Sequence, residues 1–204
     1  MGKRILAMGA AAVLAGLSVT VGTAQAEGTD IKIVLPEDLD LLEPCMATRS
    51  NIGRVIFQNV SETLTEYDAR EGGGVLPRLA ETWEQMPDGS WRFHLRRGVT
   101  FSDGSGFDAQ DVKHSFERAL SDKISCETPR YFGGMTVQAN VVDDHTIDFK
   151  ADPVQPILPL LMSMVTIVPE ETPIEFVRDP IGTGPYKVTE WTPCLLYTSP
   201  SPRD

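Results

Sequence analysis

Residues 76–120 constrain the fold more than any other stretch of this chain, because they set two Asp-Gly turns around an alternating run and close on a helix start. Pro87-Asp88-Gly89 is a tight turn joining Thr82-Trp83-Glu84 to Ser90-Trp91-Arg92-Phe93-His94-Leu95-Arg96. There Trp91, Phe93 and Leu95 alternate with Arg92, His94 and Arg96, the period of a half-buried strand with one apolar and one cationic face. After the second turn, Asp103-Gly104, Asp108 is placed as an N-cap with Asp111 three residues on, so a helix is expected from near Ala109. Val112, Phe116 and Leu120 line its inner side.

The flanking sequence fills in further elements. Residues 30–35 alternate as a short strand, and residues 36–44 form a loop rich in acid and leucine. Ile52, Val55, Ile56, Val60 and Leu64 recur at helical spacing, which predicts one apolar face and leaves Asn51, Arg54, Gln58 and Glu62 towards solvent or a partner. The glycines of Glu71-Gly72-Gly73-Gly74 lack the strand-then-helix context of a phosphate loop and read as a connection. Residues 141–149 read as a hairpin, and residues 157–168 as an apolar interior segment. Ile181-Gly182-Thr183-Gly184-Pro185 is expected to turn sharply into a strand over residues 186–191.

The N-terminus reads as an address. Lys3 and Arg4 precede an apolar run over residues 5–21, and Ala24-Gln25-Ala26 offers a small-residue cleavage site, the pattern of a secretory signal peptide. A membrane anchor is the alternative, but the run is short and rich in small residues for a span of about 20 apolar residues. Cleavage after Ala26 leaves a chain beginning at Glu27, and no Cys follows the run to carry a lipid anchor. With a formal net charge of -11 over 204 residues and no Lys/Arg-rich stretch, the chain lacks the cationic footprint that nucleic acid requires. Cys45, Cys126 and Cys194 show no zinc or redox spacing. In an oxidising compartment Cys45 and Cys126 could pair, or they could be separate, partly buried thiols.

Catalytic chemistry finds little support. A G-x-S-x-G elbow is lacking, and His94, His114 and His145 fall on a strand's polar face, a helix's exposed side and a hairpin turn. No pair of them has metal-ligand spacing, so neither a catalytic residue nor a metal or other cofactor is expected.

Several ordered blocks resemble a known family. The run Leu76-Pro77-Arg78-Leu79-Ala80-Glu81-Thr82-Trp83, then Asp88-Gly89, then residues 93–104, then Phe107-Asp108-Ala109-Gln110-Asp111-Val112, is similar to the signature region of family 5 extracellular solute-binding proteins. These are the dipeptide, oligopeptide and nickel binding components of ABC importers. Residues 61–68 resemble the family's "YEGLTxYD" block, with Ser61 for the usual Tyr and Thr63 for the usual Gly or Pro. Residues 179–186 resemble its "PIGTGPY" turn. The resemblance runs from about Ile31 to Thr192.

The resemblance implies an α/β fold, the N-terminal part of a two-lobe periplasmic-binding-protein-like (type II) architecture with a mixed sheet and packed helices. It implies no enzyme activity, a small peptide-like solute, an ABC permease as partner, a monomer and a periplasmic location. A secreted hydrolase and the solute-sensing module of a regulator are the alternatives, and the signal peptide argues against the second. Family members are more than twice this length. Residues 194–204 no longer look like the family and resemble translated sequencing-adapter read-through, the alternative being a natural short tail. The expected organisation is therefore a signal peptide over 1–26, part of the first lobe over 27–193, a non-native tail, and a missing second lobe.

The same resemblance places the ligand cleft along residues 45–51, Tyr131-Phe132 and Met162-Ser163-Met164. Arg49 could hold a carboxylate or be a solvated surface residue, with Asn51 beside it in the same loop. Tyr131 and Phe132 could stack on a ligand or plug the core; Met162 and Met164, with Ser163 between them as a further candidate contact, could form an adaptable wall or simply be interior.

Overall fold

The computed structural model describes residues 32–35, 39, 41–70 and 73–192. Every element below lies in the unit spanning Leu35–Asp204. The signal-peptide segment, the expected tail and Cys194 lie outside the described residues.

A short 3-10 turn, Pro44–Met46, leads into helix α1, Ser50–Val55, which continues as one widened π turn over Ile56–Val60. Strands β1, Thr65–Asp68, and β2, Gly74–Pro77, form a small antiparallel pair. The main sheet has four strands in the order β3-β4-β6-β5: β3 Ala80–Gln85, β4 Trp91–Leu95, β5 Thr136–Asp143 and β6 Thr146–Asp152. Helix α2, Ala109–Ala119, and the short α3, Pro129–Phe132, connect β4 to β5, and α4, Leu158–Leu161, follows β6. The expected α/β character is present. All pairings between the described strands are antiparallel.

The signature stretch folds as its pattern dictates. Residues 87–89 turn β3 into β4, with Gly89 at φ 84°, a conformation that a side chain would resist. Phe93 and Leu95 are buried, whereas Arg92 on the opposite face forms a two-pronged pair with Asp148 of β6, both contacts 2.7 Å. Asp108 caps α2 by accepting the Gln110 N–H at 2.7 Å, and the Asp111 carboxylate reciprocates by accepting the Asp108 N–H at 2.8 Å. The inner face of α2 then drops Phe116 edge-on against Phe149 and Phe132, with ring centroids 5.1 and 5.5 Å away. Phe93 meets Phe149 at 5.7 Å, so four aromatic rings join sheet, α2 and α3 in one core.

Three expectations are corrected. Residues 32–35 form no strand, and residues 30–31 of that expected strand lie outside the described residues. The helix predicted through Leu64 ends at Val60; Leu64 is buried but sits in a bend just before β1, and its backbone carbonyl accepts the Ala80 N–H at 2.9 Å. Residues 186–191 are not a strand, because this segment runs beside the end of the π turn, where Gly184 and Tyr186 donate to the carbonyls of Val60 and Asn59 at 2.8 and 3.0 Å. Among the described residues, no strand pairs with this segment.

A second, smaller core gathers Leu42, Cys45, Ile52, Ile56, Val60 and Ile124. Cys45 and Cys126 are disulfide-bonded there, their Cα atoms 5.2 Å apart across 81 residues of sequence.

Candidate functional site

The segment carrying Arg49 and Asn51 is held by its own backbone. Met46 donates to Glu43 O at 3.0 Å, Ala47 to Pro44 O at 3.0 Å, Arg49 to Met46 O at 2.9 Å and Gly53 to Arg49 O at 2.7 Å. Arg49 is exposed at the start of α1; Asn51 is buried, which corrects its expected place on the outward face of the helix.

The other predicted cleft residues separate into two kinds. Tyr131 is 42% exposed, while its neighbour Phe132 is a core side chain against Phe116. Met162 is likewise core, and Ser163 is buried with its hydroxyl donating to Leu160 O at 2.7 Å. Phe132 and Met162 therefore present no side-chain surface to a ligand in this structure. The expectation that they line a cleft is corrected: each points into the cluster that packs α2 and α4 on the sheet.

Ser163 and Met164 do reach a cavity of about 430 Å³, shared with Phe57, Thr63, Glu66, Tyr67 and Arg78. Arg78 is fixed at its edge: Nη2 donates to Phe57 O at 2.9 Å and Nε approaches Glu62 at 3.3 Å. Thr63 donates its hydroxyl to Thr65 O at 2.6 Å, as Ser163 does to Leu160 O, so each oxygen keeps only acceptor capacity. Glu66 and Tyr67 are exposed. A fixed guanidinium, a carboxylate, two acceptor hydroxyls and apolar walls from Phe57 and Met164 suit a ligand with charged ends and an apolar body. A second cavity of about 330 Å³ carries Asp103, Glu171 and Asp179 but no cationic side chain, so it has nothing to hold a carboxylate.

The histidines are engaged separately. His114 Nε2 lies 2.7 Å from Thr172 O, His94 faces Glu84 at 3.6 Å, and the His145 backbone N–H donates to Asp143 at 2.8 Å. Among the described residues, no group of three or more His, Cys, Asp or Glu could hold a metal ion, and no helix is long and apolar enough to cross a membrane. Asp111 is perturbed upward: burial pushes its carboxyl up to about 6, against hydrogen bonds from the Asp108 and Glu170 N–H groups.

Sequence reasoning missed the fully buried pair Glu43–Arg118, at 2.8 and 3.1 Å. A signal was present for Arg118: with Asp111 and Ser115 it follows the same spacing as the inner face of α2. Glu43 gave none beyond an acid set in an apolar stretch before Pro44. Arg78, Glu66 and Tyr67 were passed over because their blocks read as scaffold.

Comparison with known proteins follows the signature. Residues 74–197 match the model for bacterial extracellular solute-binding proteins, family 5. The chain is 34% identical over 145 residues to the dipeptide-binding protein of Escherichia coli K12, covering 57% of this chain and 27% of that protein. Among solved structures it resembles NikA from Brucella suis in complex with Fe(III)-EDTA, at TM-score 0.56 and 30% identity, covering 75% of this chain and 32% of that one. It also resembles a dipeptide binding protein from Pseudoalteromonas sp. SM9913 in complex with Met-Leu, at TM-score 0.65 and 21% identity, covering 77% and 36%. The chain thus spans about a third or less of the length of these proteins.

Proposed function

The chain belongs to the bacterial extracellular solute-binding proteins of family 5, and from that premise we propose that its parent protein is the substrate-binding component of an ABC importer, capturing a peptide-like solute in the periplasm for a membrane permease. The observation that carries the peptide reading is the cavity at Arg78, Glu66 and Ser163, whose opposite charges flank apolar walls. A zwitterionic peptide presents the complementary pattern of carboxylate, ammonium and side chain. The identity to a dipeptide-binding protein supports the same class. Residues 27–193 would form part of the first lobe, with the second lobe supplied by chain outside this sequence, and Arg49, Tyr131 and Ser163 facing the cleft. Binding would act by stabilising a closed population of the two lobes. The role is capture and delivery, without chemistry on the solute, by a protein acting as a monomer.

The test is calorimetric titration of the full-length parent with Ala-Ala, Met-Leu and Ala-Ala-Ala. Saturable binding of at least one peptide is expected; binding of none of them refutes the peptide reading. Reading the native gene past the codon for Pro193 checks the organisation, with a continuing frame expected. Mass spectrometry of exported protein checks the leader, and a mature N-terminus other than Glu27 refutes that boundary.

A further inference from the structure

Glu43 is wholly buried and has every carboxylate lone-pair direction occupied. Oε1 accepts from the Cys45 N–H at 3.0 Å and from Arg118 Nη1 at 2.8 Å; Oε2 accepts from the Val177 N–H at 2.8 Å and from Arg118 Nη2 at 3.1 Å. Arg118, 2% exposed, gives two further donors to the same region, Nε to Pro173 O at 2.8 Å and Nη2 to Glu175 O at 2.6 Å. One ion pair therefore joins three stretches distant in sequence: the start of the 43–53 segment, the last turn of α2, and residues 173–177. A buried charge pair is a poor way to gain stability, since desolvation offsets most of the attraction. Its distinctive property is directional: six hydrogen bonds fix one backbone geometry and no other.

What that geometry fixes is the segment carrying Arg49 and Asn51. Cys45, whose N–H the Glu43 carboxylate holds, is also tied through its side chain to Cys126 and through its carbonyl to the Glu127 N–H at 3.3 Å. Pro44 O accepts the Thr166 hydroxyl at 2.9 Å. The segment is thus anchored at its N-terminal end by an ion pair, a disulfide and a cross-chain hydrogen bond within three consecutive residues. An apolar core alone would seat such a loop with less precision. Anchoring of this kind removes conformational freedom before a ligand arrives, which lowers the ordering cost of binding.

We propose that Glu43, acting through Arg118, is a positioning residue for solute binding: it holds the 45–51 segment in its ligand-competent conformation in the empty protein. The proposal rests on the reading of that segment as part of the cleft. The experiment compares full-length parent protein with its Glu43→Gln variant, using the three peptides named above, at a temperature where circular dichroism shows both fully folded. Amide hydrogen exchange of residues 46–53 is followed in parallel without ligand. A residue that merely adds stability lowers Tm but leaves the affinity of the folded population, and the relative exchange of this segment, unchanged. The expected result is a Kd about tenfold weaker and exchange about tenfold faster in residues 46–53 than in the β4–β6 ladder, from loss of preorganisation. If Glu43→Gln does not fold, because it leaves the Arg118 charge unpaired, Glu43→Gln with Arg118→Met removes both charges and carries the same comparison. Equal Kd values overturn the inference alone. Unchanged exchange over residues 46–53 overturns it whether or not peptide binds. Absence of peptide binding by the unsubstituted parent overturns the peptide reading and takes the inference with it.

Discussion

Substitution of Gly184 by alanine tests how the 182–186 segment is held. Gly184 has an ordinary backbone conformation, so the sharp-turn reading of its sequence does not explain the glycine. Proximity does: a Cβ built there meets Asn59 O at 2.5 Å and both C and O of Val60 at 2.7 Å. Carbon atoms settle at roughly 3.5–4.0 Å, so the added methyl must push the two backbones apart by most of an ångström. Overpacking of this kind costs about 1–3 kcal/mol. The same shift stretches the hydrogen bonds from Gly184 to Val60 at 2.8 Å and from Tyr186 to Asn59 at 3.0 Å, each worth about 1 kcal/mol. Gly184→Ala should therefore lose about 2–5 kcal/mol, which for a domain of this size lowers Tm by about 5–15 °C. Gly106→Ala is the matched control, since a Cβ there has no heavy atom within 4 Å and no positive φ to oppose it. It should change stability by about 0.5 kcal/mol or less. Urea unfolding of the two variants beside the unsubstituted protein gives the comparison. A Gly184→Ala midpoint within error of Gly106→Ala would show that the 59–60 backbone yields freely, and the close-approach argument would be wrong.

The remaining expectations concern the crosslink, an acid and a neighbouring aromatic pair. Reduction of Cys45–Cys126, or Cys45→Ser with Cys126→Ser, releases a constraint across 81 residues, worth about 4–5 kcal/mol by loop entropy; an unchanged urea midpoint after reduction contradicts this. Asp111 has its folded pKa raised to about 6 from 3.8, so the folded state binds the proton more tightly than the unfolded state. Stability should then be fully present below pH 4 and fall as pH rises through 6, by about 1–2 kcal/mol after allowance for screening. Asp111→Asn should flatten that slope, and a slope unaltered by the substitution removes Asp111 as its source. Below pH 4 the sign reverses, because Asp88 is held down to about 2 by the Ser90 hydroxyl, then the Ser90 N–H and Lys150, and loses those contacts on protonation. Phe132→Ala should cost about 3–5 kcal/mol as a core deletion, whereas Tyr131→Ala should stay within about 0.5 kcal/mol as a surface change; comparable losses in thermal melts would contradict their opposite burial.

The signature stretch was legible because each of its residues answers to a local rule. Asp108 and Asp111 cap a helix through contacts three residues apart, and Trp91, Phe93 and Leu95 obey a period of two, so short-range spacing is sufficient. The 186–191 segment was misread for the complementary reason. Its alternation is compatible with a strand, but a strand exists only where a neighbouring ladder lies beside it. Here the neighbour is the widened turn at Ile56–Val60. That turn also ended the helix that helical spacing had carried on to Leu64. Apolar periodicity records which residues are buried, and it was correct for Ile52, Ile56, Val60 and Leu64. It does not record whether the backbone between them remains helical.

Which side chains of the expected cleft segments are exposed was not legible residue by residue, for a reason visible in adjacent side chains. Tyr131 and Phe132 share one short helix, yet rotation by a single residue sends one ring to solvent and the other into the cluster with Phe116. Met162 and Met164 divide in the same way, the first into the core and the second onto the wall of the cavity with Arg78. A resemblance carried over blocks cannot resolve which of two neighbours faces the ligand, because the blocks owe their pattern to packing. The buried Glu43–Arg118 pair escaped for a related reason: its partners lie 75 residues apart, and neither spacing nor composition links them. Charge placed on the inner face of an amphipathic helix is the transferable clue. Arg118 follows the spacing of Asp111 and Ser115, and all three are buried with their polar atoms engaged in linking α2 to residues 43 and 168–175. A polar line on the apolar side of a helix marks the place where the chain crosses back over it.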